Sequence, residues 1–373
     1  MGGSVSERPP HTRVGLRATA LLVTVALAVL VGGLVNLVTV PRVVYHPGPL
    51  YDTLGPIQDV DIVQIDDELE THDDTEGHLY FTTIRLQGGP GDSLTAWEWL
   101  RTRFDPATTI VPRELVFPEN VTAEQVREQN TALMQHSQQD AAVVALRADG
   151  IEIPEEVLVA QVMMGAPADG VLHVDDQILE VAGEGITSTR AVQDSIQEVT
   201  PGDDVPLTLL RDGEELTIDV PTTRDEETGR TIVGVYLAPR YELPYDITID
   251  AGNVGGSSAG LMFSLAVYDK LTPGPLTDGR SIAGSGTISG TGQVGGIGGI
   301  TQKMHAAAGA DVELFLAPTA NCDEVVEGQP DSLTVVPVET FEDALDTLEQ
   351  AAGTEDLSSL DLPTCQDVLD ETG

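Results

Sequence analysis

Ser258 is the first residue of this sequence whose surroundings suggest chemistry. It lies in the stretch NVGGSSAGLM at residues 253–262, where two glycines permit a sharp turn and the following apolar run predicts an amphipathic helix. At a helix start, unpaired backbone N–H groups and the positive end of the helix dipole can stabilise an oxyanion beside a serine hydroxyl. The N–H groups expected there belong to Gly256, Ser257 and Ala259. The alternative is a serine that caps the helix, with small residues that serve packing.

Lys303 is the second candidate, in the first turn of a helix predicted from GGITQKMHAAAGA. The helix dipole and the apolar neighbours Ile300 and Met304 both disfavour its charged form. A neutral amine can take the proton of a serine hydroxyl, which is the Ser-Lys form of nucleophilic activation. The alternative is a surface lysine whose stem lies along apolar side chains. Only Lys270 and Lys303 are lysines among 18 basic residues, which argues against an incidental placement.

His305 offers a different mechanism, because histidine is the commonest general base. It stands two positions after Lys303, and residues two apart on a helix point to different faces. Both side chains therefore cannot address Ser258 equally, and the sequence favours the lysine.

The serine and lysine segments together resemble the proteolytic domain of the Lon family of serine proteases. The family's nucleophile lies in a P-S-A-G stretch, matched here by SSAG at residues 257–260, and its base follows a Gly-Gly start, matched by GGITQK at residues 298–303. The resemblance covers residues 236–350. It implies Ser258 as nucleophile and Lys303 as general base.

Three further positions either extend or depart from the Lon pattern. A hydroxyl residue in the family's hairpin helps to orient the lysine, and ungapped alignment back from the lysine places Ser285 there. Ser257 replaces the proline before the nucleophile, which leaves open which serine attacks. Gly255 replaces the acid that ATP-dependent Lon carries three residues before its serine, which implies a divergent branch.

No ATP site is predicted from the lysine positions. A Walker A loop needs G-x-x-x-x-G-K-[ST], but Lys270 precedes Leu271 and Lys303 precedes Met304. The acidic run DDELETHDDTEGH has neither EF-hand nor HExxH spacing and is typical of a solvated turn, so no metal site is expected. The sequence therefore predicts an enzyme without a cofactor that cuts flexible or already unfolded chains.

Residues 150–235 have the texture of a small β-rich module, with short strand-like runs, glycine turns and one helix near residues 189–199. The runs APADGVLHVDDQILEVAGEGI and PGDDVPLTLLRDGEE resemble a PDZ domain. The resemblance implies a peptide that adds as a strand beside the helix. It also implies that four backbone amides receive the peptide's carboxyl terminus, those of Glu156, Val157, Leu158 and Val159. A spacer with a filled groove is the alternative.

Residues 18–41 carry no charge and exceed the roughly 20 apolar residues that a bilayer-spanning helix needs. Arginines at positions 8, 13 and 17 precede the run, so the positive-inside rule places residues 1–17 in the cytoplasm and the rest outside. A cleaved signal peptide is the alternative, but the run is long and lacks an A-x-A cleavage pattern. We therefore expect a single-pass anchor in the cell membrane.

The charge balance limits which partners the protein can bind. Asp and Glu total 61 against 18 Lys and Arg, a formal net charge of −43, which repels nucleic acid. Cys322 and Cys365 are the only cysteines. On the outer side of a membrane such a pair favours a disulfide that clamps the carboxyl tail, with two free thiols as the alternative.

The sequence as a whole predicts an α+β protein in which a Lon-type proteolytic domain and a β-rich PDZ module follow one N-terminal transmembrane helix. We expect six parts, at residues 1–17, 18–41, 42–149 packing on the protease domain, 150–235, 236–352 and 353–373. The combination resembles the membrane-anchored, PDZ-containing Lon-like proteases of bacteria, and this resemblance implies a homo-oligomer. Two other hypotheses remain: an inactive, membrane-tethered peptide-binding scaffold, and a purely structural protein of the cell envelope.

Overall fold

The computed structural model describes residues 15–57, 60–66, 68–72, 76–118, 121–226, 228–354 and 356–372. The predicted cytoplasmic segment at residues 1–17 falls mostly outside the described residues. The acidic run expected to form a solvated turn is described only in part. The protein has an α+β fold.

In the first part of the chain, the described residues form four helices and eight short or medium strands. The helices are α1 (Leu16–Leu37), α2 (Ala96–Thr102), α3 (Arg113–Val116) and α4 (Ala123–Ala148). The strands are β1 (Thr39–Val40), β2 (Arg42–Asp52), β3 (Pro56–Ile57), β4 (Val60–Asp61), β5 (Val63–Ile65), β6 (His78–Gln87), β7 (Leu94–Thr95) and β8 (Thr109–Pro112).

Helix α1 coincides with most of the expected membrane span at residues 18–41. Within the part of the chain that the structure describes, no helix combines the length and the apolar character that crossing a bilayer requires. The membrane anchor therefore stays a prediction.

The middle part folds as a separate β-rich unit. Its elements are β9 (Glu155–Val162), β10 (Gln177–Val181), β11 (Glu184–Gly185), α5 (Thr189–Gln197), β12 (Asp204–Arg211), β13 (Glu214–Pro221), β14 (Thr223–Arg224), β15 (Thr231–Ile232) and β16 (Val235–Tyr241). The main sheet has the strand order β13-β12-β10-β9-β16 and buries its own apolar core. Because β16 pairs with β9 along its whole length, this sheet extends past the boundary expected at residue 235.

The last part carries the serine and lysine segments. Its elements are β17 (Ile247–Ile249), α6 (Gly260–Leu271), β18 (Ser281–Gly284), β19 (Thr287–Ile288), β20 (Val294–Gly295), α7 (Ile300–Ala308), β21 (Leu314–Pro318), α8 (Cys322–Gly328), β22 (Thr334–Val338), α9 (Phe341–Ala351) and α10 (Cys365–Thr372). Cys322 and Cys365 form a disulfide that joins α8 to α10.

One mixed sheet combines strands from the first and last parts, in the order β22-β21-β18-β6-β2-β8. Strand β6, which contains the run LYFTTIRL, lies parallel to β18, and β2 lies antiparallel to β6. Helix α4 packs against α6, and the rings of Phe81 and Phe263 meet edge to face at 5.2 Å. The first part therefore supplies half of the sheet behind the serine and lysine segments.

The middle unit is an insertion between α4 and β17, and its two ends meet. Glu155 at the start of β9 is paired with Tyr241 at the end of β16. Arg147 of α4 binds this junction, because its guanidinium donates to the carbonyls of Gly290 (2.7 Å) and Ile153 (2.9 Å) and lies over the Tyr241 ring. The chain leaves and re-enters the larger body at neighbouring points.

Candidate active site

Ser258 lies in the loop between β17 and α6, two residues before the helix begins. Gly256 adopts a φ of 93°, which an L side chain would strain, so this turn requires glycine. Added Cβ atoms would come within 2.9 Å of Asn130 at Gly255 and within 2.6 Å of Ser137 at Gly260. The small residues around the serine therefore permit a sharp turn and a close approach to helix α4.

Helix α4 holds the serine loop in place from residues more than 100 positions earlier. The Gly256 N–H donates to the Asn130 carbonyl at 2.9 Å, and the Ser137 hydroxyl donates to the Ser257 carbonyl at 3.1 Å. A backbone N–H that is already bonded cannot serve a developing oxyanion. The expectation that Gly256 contributes to an oxyanion hole is therefore wrong for this conformation.

The two other expected donors keep their hydrogens available. In the described part of the chain, the N–H groups of Ser257 and Ala259 form no hydrogen bond. Both lie within one residue of Ser258, before the first turn of α6. They are the backbone groups that can meet negative charge beside the Ser258 hydroxyl.

The Lys303 side chain reaches the serine loop from α7. Its Nζ lies 2.7 Å from the Ser258 Oγ and 2.7 Å from the Ser285 Oγ. Only 1% of the residue is exposed, and burial lowers the pKa of the Lys303 amine to about 7. An amine with that pKa is substantially neutral at physiological pH and can accept a proton.

The hydrogen bonds of Ser285 determine which way the lysine can act. The Ser285 hydroxyl donates to the Ser258 carbonyl at 2.8 Å, so its one hydrogen is used and its oxygen must accept from Lys303. A neutral amine that donates to Ser285 keeps its lone pair for the Ser258 O–H. In this arrangement the lone pair of a neutral Lys303 amine is directed at the Ser258 hydroxyl.

The backbone around Ser285 is itself fixed. The Ser285 N–H donates to the Leu316 carbonyl at 3.1 Å, and the Gly286 N–H donates to the Ser258 carbonyl at 2.9 Å. These bonds join the end of β18 to the serine loop on one side and to β21 on the other. The hydroxyl at position 285 is therefore held by the sheet.

Helix α7 is positioned by contacts at its start. The Asn321 side chain, 5% exposed, accepts from the Ile297 N–H and donates to the Ile297 carbonyl, both at 2.9 Å. Gln302 donates to the Thr109 hydroxyl at 2.9 Å. The loop and first turn that carry Lys303 are therefore tied to α8 and to the end strand of the mixed sheet.

Ser258 and Lys303 open onto a groove of about 710 Å³. Its walls come from β6, α4, the serine loop and the loop before α7. An open groove of this kind suits an extended chain better than a small molecule enclosed on all sides.

The geometry separates the competing candidates. Lys303 bonds the hydroxyl of Ser258, whereas Ser257 offers its carbonyl to Ser137. Within the described residues, His305 forms no hydrogen bond to either serine, as expected from its position two residues after the lysine.

Comparison with known protein families identifies two domains in this chain. Residues 246–350 match the Lon protease (S16) C-terminal proteolytic domain, and residues 125–222 match the PDZ domain family. The chain therefore combines a PDZ domain with a Lon-type proteolytic domain.

The curated relatives of this Lon-like chain include two archaeal Lon proteases. That of Methanothermobacter thermautotrophicus is 34% identical over 119 residues, which cover 30% of this chain and 18% of the relative. That of Halobacterium salinarum is 33% identical over 97 residues, which cover 26% of this chain and 14% of the relative. The chain thus spans less than a fifth of the length of either relative.

Among solved structures, the PDZ domain of an SdrC-like protein from Listeria monocytogenes is 28% identical, with a TM-score of 0.21. The match covers 22% of this chain and 85% of that domain. The family match begins inside α4, whereas the sheet of the PDZ module runs from β9 to β16.

The peptide-binding residues expected in the PDZ module of this Lon-like chain are not at an open sheet edge. Residues 156–159 lie in β9, which pairs with β10 on one side and β16 on the other. Val157 and Val159 are buried, and Glu156 forms an ion pair with Arg240. The expectation for Glu156, Val157, Leu158 and Val159 is therefore wrong, because the chain returns after β13 and covers that edge.

Strand β16 is the edge strand of the described sheet that faces α5. A groove of about 360 Å³ lies between them, and its walls include Gln193, Ile196, Val233, Gly234 and Tyr236. The glycine at 234 has a φ of 82°, and a Cβ there would collide with Ala166. A glycine between two valines before an edge strand was the sequence signal for this groove. Asn130 and Ser137, by contrast, had none, because helical patterning does not mark residues that bind a distant loop.

Proposed function

We propose that the chain is an ATP-independent endopeptidase in which Ser258 is the nucleophile and Lys303 the general base. The observation that carries this proposal is the 2.7 Å contact between the Lys303 Nζ and the Ser258 Oγ at a site where the lysine is buried. Burial lowers the pKa of that amine to about 7, which is the range a general base needs near neutral pH.

The first chemical step transfers one proton and forms one bond. As the Ser258 oxygen attacks the carbonyl carbon of a peptide bond, its hydrogen passes to the Lys303 lone pair. The carbonyl oxygen becomes an oxyanion, and the N–H groups of Ser257 and Ala259 are proposed to donate to it. Ser285 keeps the amine pointed at Ser258 throughout, because its own hydrogen stays on the Ser258 carbonyl.

The second step returns that proton and releases the amine half of the substrate. The protonated Lys303 donates to the leaving nitrogen as the C–N bond breaks, which leaves an ester on Ser258. A water molecule then attacks the ester with Lys303 again as base, and the second product leaves as a carboxylic acid. Each cycle restores the starting proton count.

The β16–α5 groove of the PDZ module is proposed to bind peptide segments of the substrate. An extended peptide can add to the open edge of β16 by backbone hydrogen bonds, while side chains fill the space beside α5. Because the sequence contains no P-loop, unfolding by an ATP motor is not part of the proposed activity, and flexible or unfolded proteins are the expected substrates.

The test uses the purified full chain in detergent, with casein as an unstructured substrate. Replacing Ser258→Ala or Lys303→Ala should each lower kcat by at least about 10³-fold. Ser257→Ala is the matched control, since it removes the neighbouring hydroxyl and should leave cleavage near the unmodified rate. A serine-reactive probe should label the peptide that contains Ser258.

Two results would overturn the mechanism: cleavage that survives both substitutions, or activity lost on Ser257→Ala alone. An unmodified chain that binds peptides but cuts nothing would support the inactive scaffold instead.

We further propose that the chain is anchored in the cell membrane by residues 18–41, with the catalytic domain outside the cytoplasm. Support comes from the uncharged apolar run, from a helix over Leu16–Leu37, and from the large exposure of leucines along it, such as Leu21 at 66%. The disulfide between Cys322 and Cys365 suits an oxidising compartment.

Two measurements test the anchor. Resistance to alkaline carbonate extraction, together with digestion of residues after 42 by protease added outside intact cells, would support it. Release by carbonate would contradict it.

A further inference from the structure

We infer that α2, the residues just after it and α3 form a lipid-binding surface that lies in the headgroup region of the bilayer beside α1. Its apolar members are Trp97, Leu100, Phe104 and Leu115, named here the collar. This inference rests on the proposed membrane anchoring, because it takes α1 as the element inside the bilayer.

The collar adjoins the end of α1 through the backbone. The Ala96 N–H at the start of α2 donates to the Val38 carbonyl at 2.7 Å, directly after α1 ends at Leu37. The Arg113 N–H at the start of α3 donates to the Pro41 carbonyl at 3.3 Å. Helix α2 also packs on α1. Both short helices therefore lie within a few residues of the point where α1 would leave the membrane.

The collar exposes large apolar side chains that the fold itself does not bury. Trp97 and Leu100 are 45% and 42% exposed and lie three residues apart, so they share one face of α2. Phe104 is 81% exposed and Leu115 77%. Aromatic and apolar groups at such exposure mark an interaction surface. Tryptophan is especially enriched at the membrane–water interface, where its ring is apolar and its N–H is wet.

Charge favours a lipid over other occupants. The chain carries a net charge of −43, yet over residues 94–117 three arginines balance three acids. One of these acids, Glu98, belongs to the capping box of α2, because its carboxylate accepts a hydrogen bond from the Thr95 N–H at 2.9 Å. Arg101 and Arg103 are exposed near the collar side chains in sequence, and Arg42 at the start of β2 is also exposed. Arginines beside aromatic rings suit the phosphate groups of phospholipids.

The two tryptophans of the chain, Trp97 and Trp99, both lie in α2, so intrinsic fluorescence reports on this surface without a label. The full chain would be reconstituted in vesicles of phosphatidylcholine and phosphatidylglycerol, with and without lipids brominated near the headgroup end of the acyl chain. In a Trp99→Phe variant that floats with the vesicles, brominated lipid should reduce Trp97 emission by about twofold, because the ring reaches interfacial depth.

A matched pair of variants locates the effect. Phe104→Ser with Leu115→Ser should lessen the quenching of Trp97 by brominated lipid, because both side chains are exposed and help to hold α2 at the interface. Met164→Ser, at a residue that is 95% exposed on the PDZ module, should leave it unchanged. Equal quenching in all three proteins would overturn the collar.

The remaining outcomes separate the collar from the anchor. A chain that floats with vesicles but is quenched only by soluble acrylamide overturns the collar and leaves the anchor standing. A chain that floats and is quenched by neither agent has its collar covered by protein, which also overturns a lipid surface. A chain that does not float overturns the anchor, and the collar with it.

Discussion

The protease groove and the PDZ groove differ in how their functional groups are assembled. In the protease groove, two short segments carry the side chains proposed to react, and one 2.7 Å contact joins Lys303 to Ser258. In the PDZ groove, the feature that matters is which edge strand faces α5, and that strand is β16. The first depends on residue identity, whereas the second depends on the path of the chain.

This difference explains why one site followed from sequence patterns and the other did not. A serine beside glycines and a lysine among apolar residues indicate reactive side chains from local sequence alone, however the two segments pack. The glycine between two valines at residues 233–235 marks the bend before β16, but no local pattern records that β16 lies at an edge of the sheet. The predictions below test whether the two grooves are as distinct in behaviour as in construction.

Beyond the substitutions of Ser258 and Lys303 described above, the largest effect is expected from Ser285→Ala. Without this hydroxyl, the Lys303 amine loses the acceptor that turns its lone pair towards Ser258, and kcat should fall by about a hundredfold. Steady-state cleavage of casein measures it, and the acid limb of the pH profile should move, which a purely structural defect would not cause. Ser285→Thr keeps the hydroxyl and should retain most activity; a threonine variant as weak as the alanine variant would contradict an orienting role.

A smaller effect is expected from pH. Because burial lowers the pKa of Lys303 to about 7, lowering the pH below that value protonates the base, and kcat/KM should fall about tenfold between pH 8 and pH 6. An unperturbed lysine would place this limb near pH 10 instead.

Asp140 of α4 also titrates in this pH range, because burial raises the pKa of its carboxyl to about 6. The pH experiment therefore needs an Asp140 variant as a control. Asp140→Asn should leave the acid limb of the profile in place. If the limb disappears with the aspartate, the titrating group is not the lysine.

The smallest effect concerns the PDZ groove. Gln193→Phe should fill the space between α5 and β16 and weaken peptide binding by about five- to tenfold. Fluorescence polarisation of a labelled peptide with a free, apolar carboxyl terminus would measure it. Glu156→Ala lies on the covered strand and should bind as the unmodified chain does. If Glu156→Ala weakens peptide binding more than Gln193→Phe does, the peptide binds at β9 and not at β16.

The sequence predicted more of the chemistry than of its support. The α+β class, the strand at residues 78–87 and the helices that follow Ser258 and Gly299 agree with local patterns of apolar residues and glycine. Ser285 needed a family resemblance, since one serine in a glycine-rich hairpin has no pattern of its own. The bond that removes the Gly256 N–H from the oxyanion site could not be predicted, because its acceptor, Asn130, is distant in sequence.

The insertion of the PDZ module has a practical consequence for dissecting the molecule. A fragment that starts at residue 236 would lack the strands β2, β6 and β8 as well as the helix that supports the nucleophile loop, so it should not fold into a working enzyme. Removing residues 155–241 and rejoining the chain should do far less harm, because Glu155 and Tyr241 already lie side by side. Ser258 and Lys303 therefore belong to a discontinuous domain, and sequence order is a poor guide to where this protein can be cut.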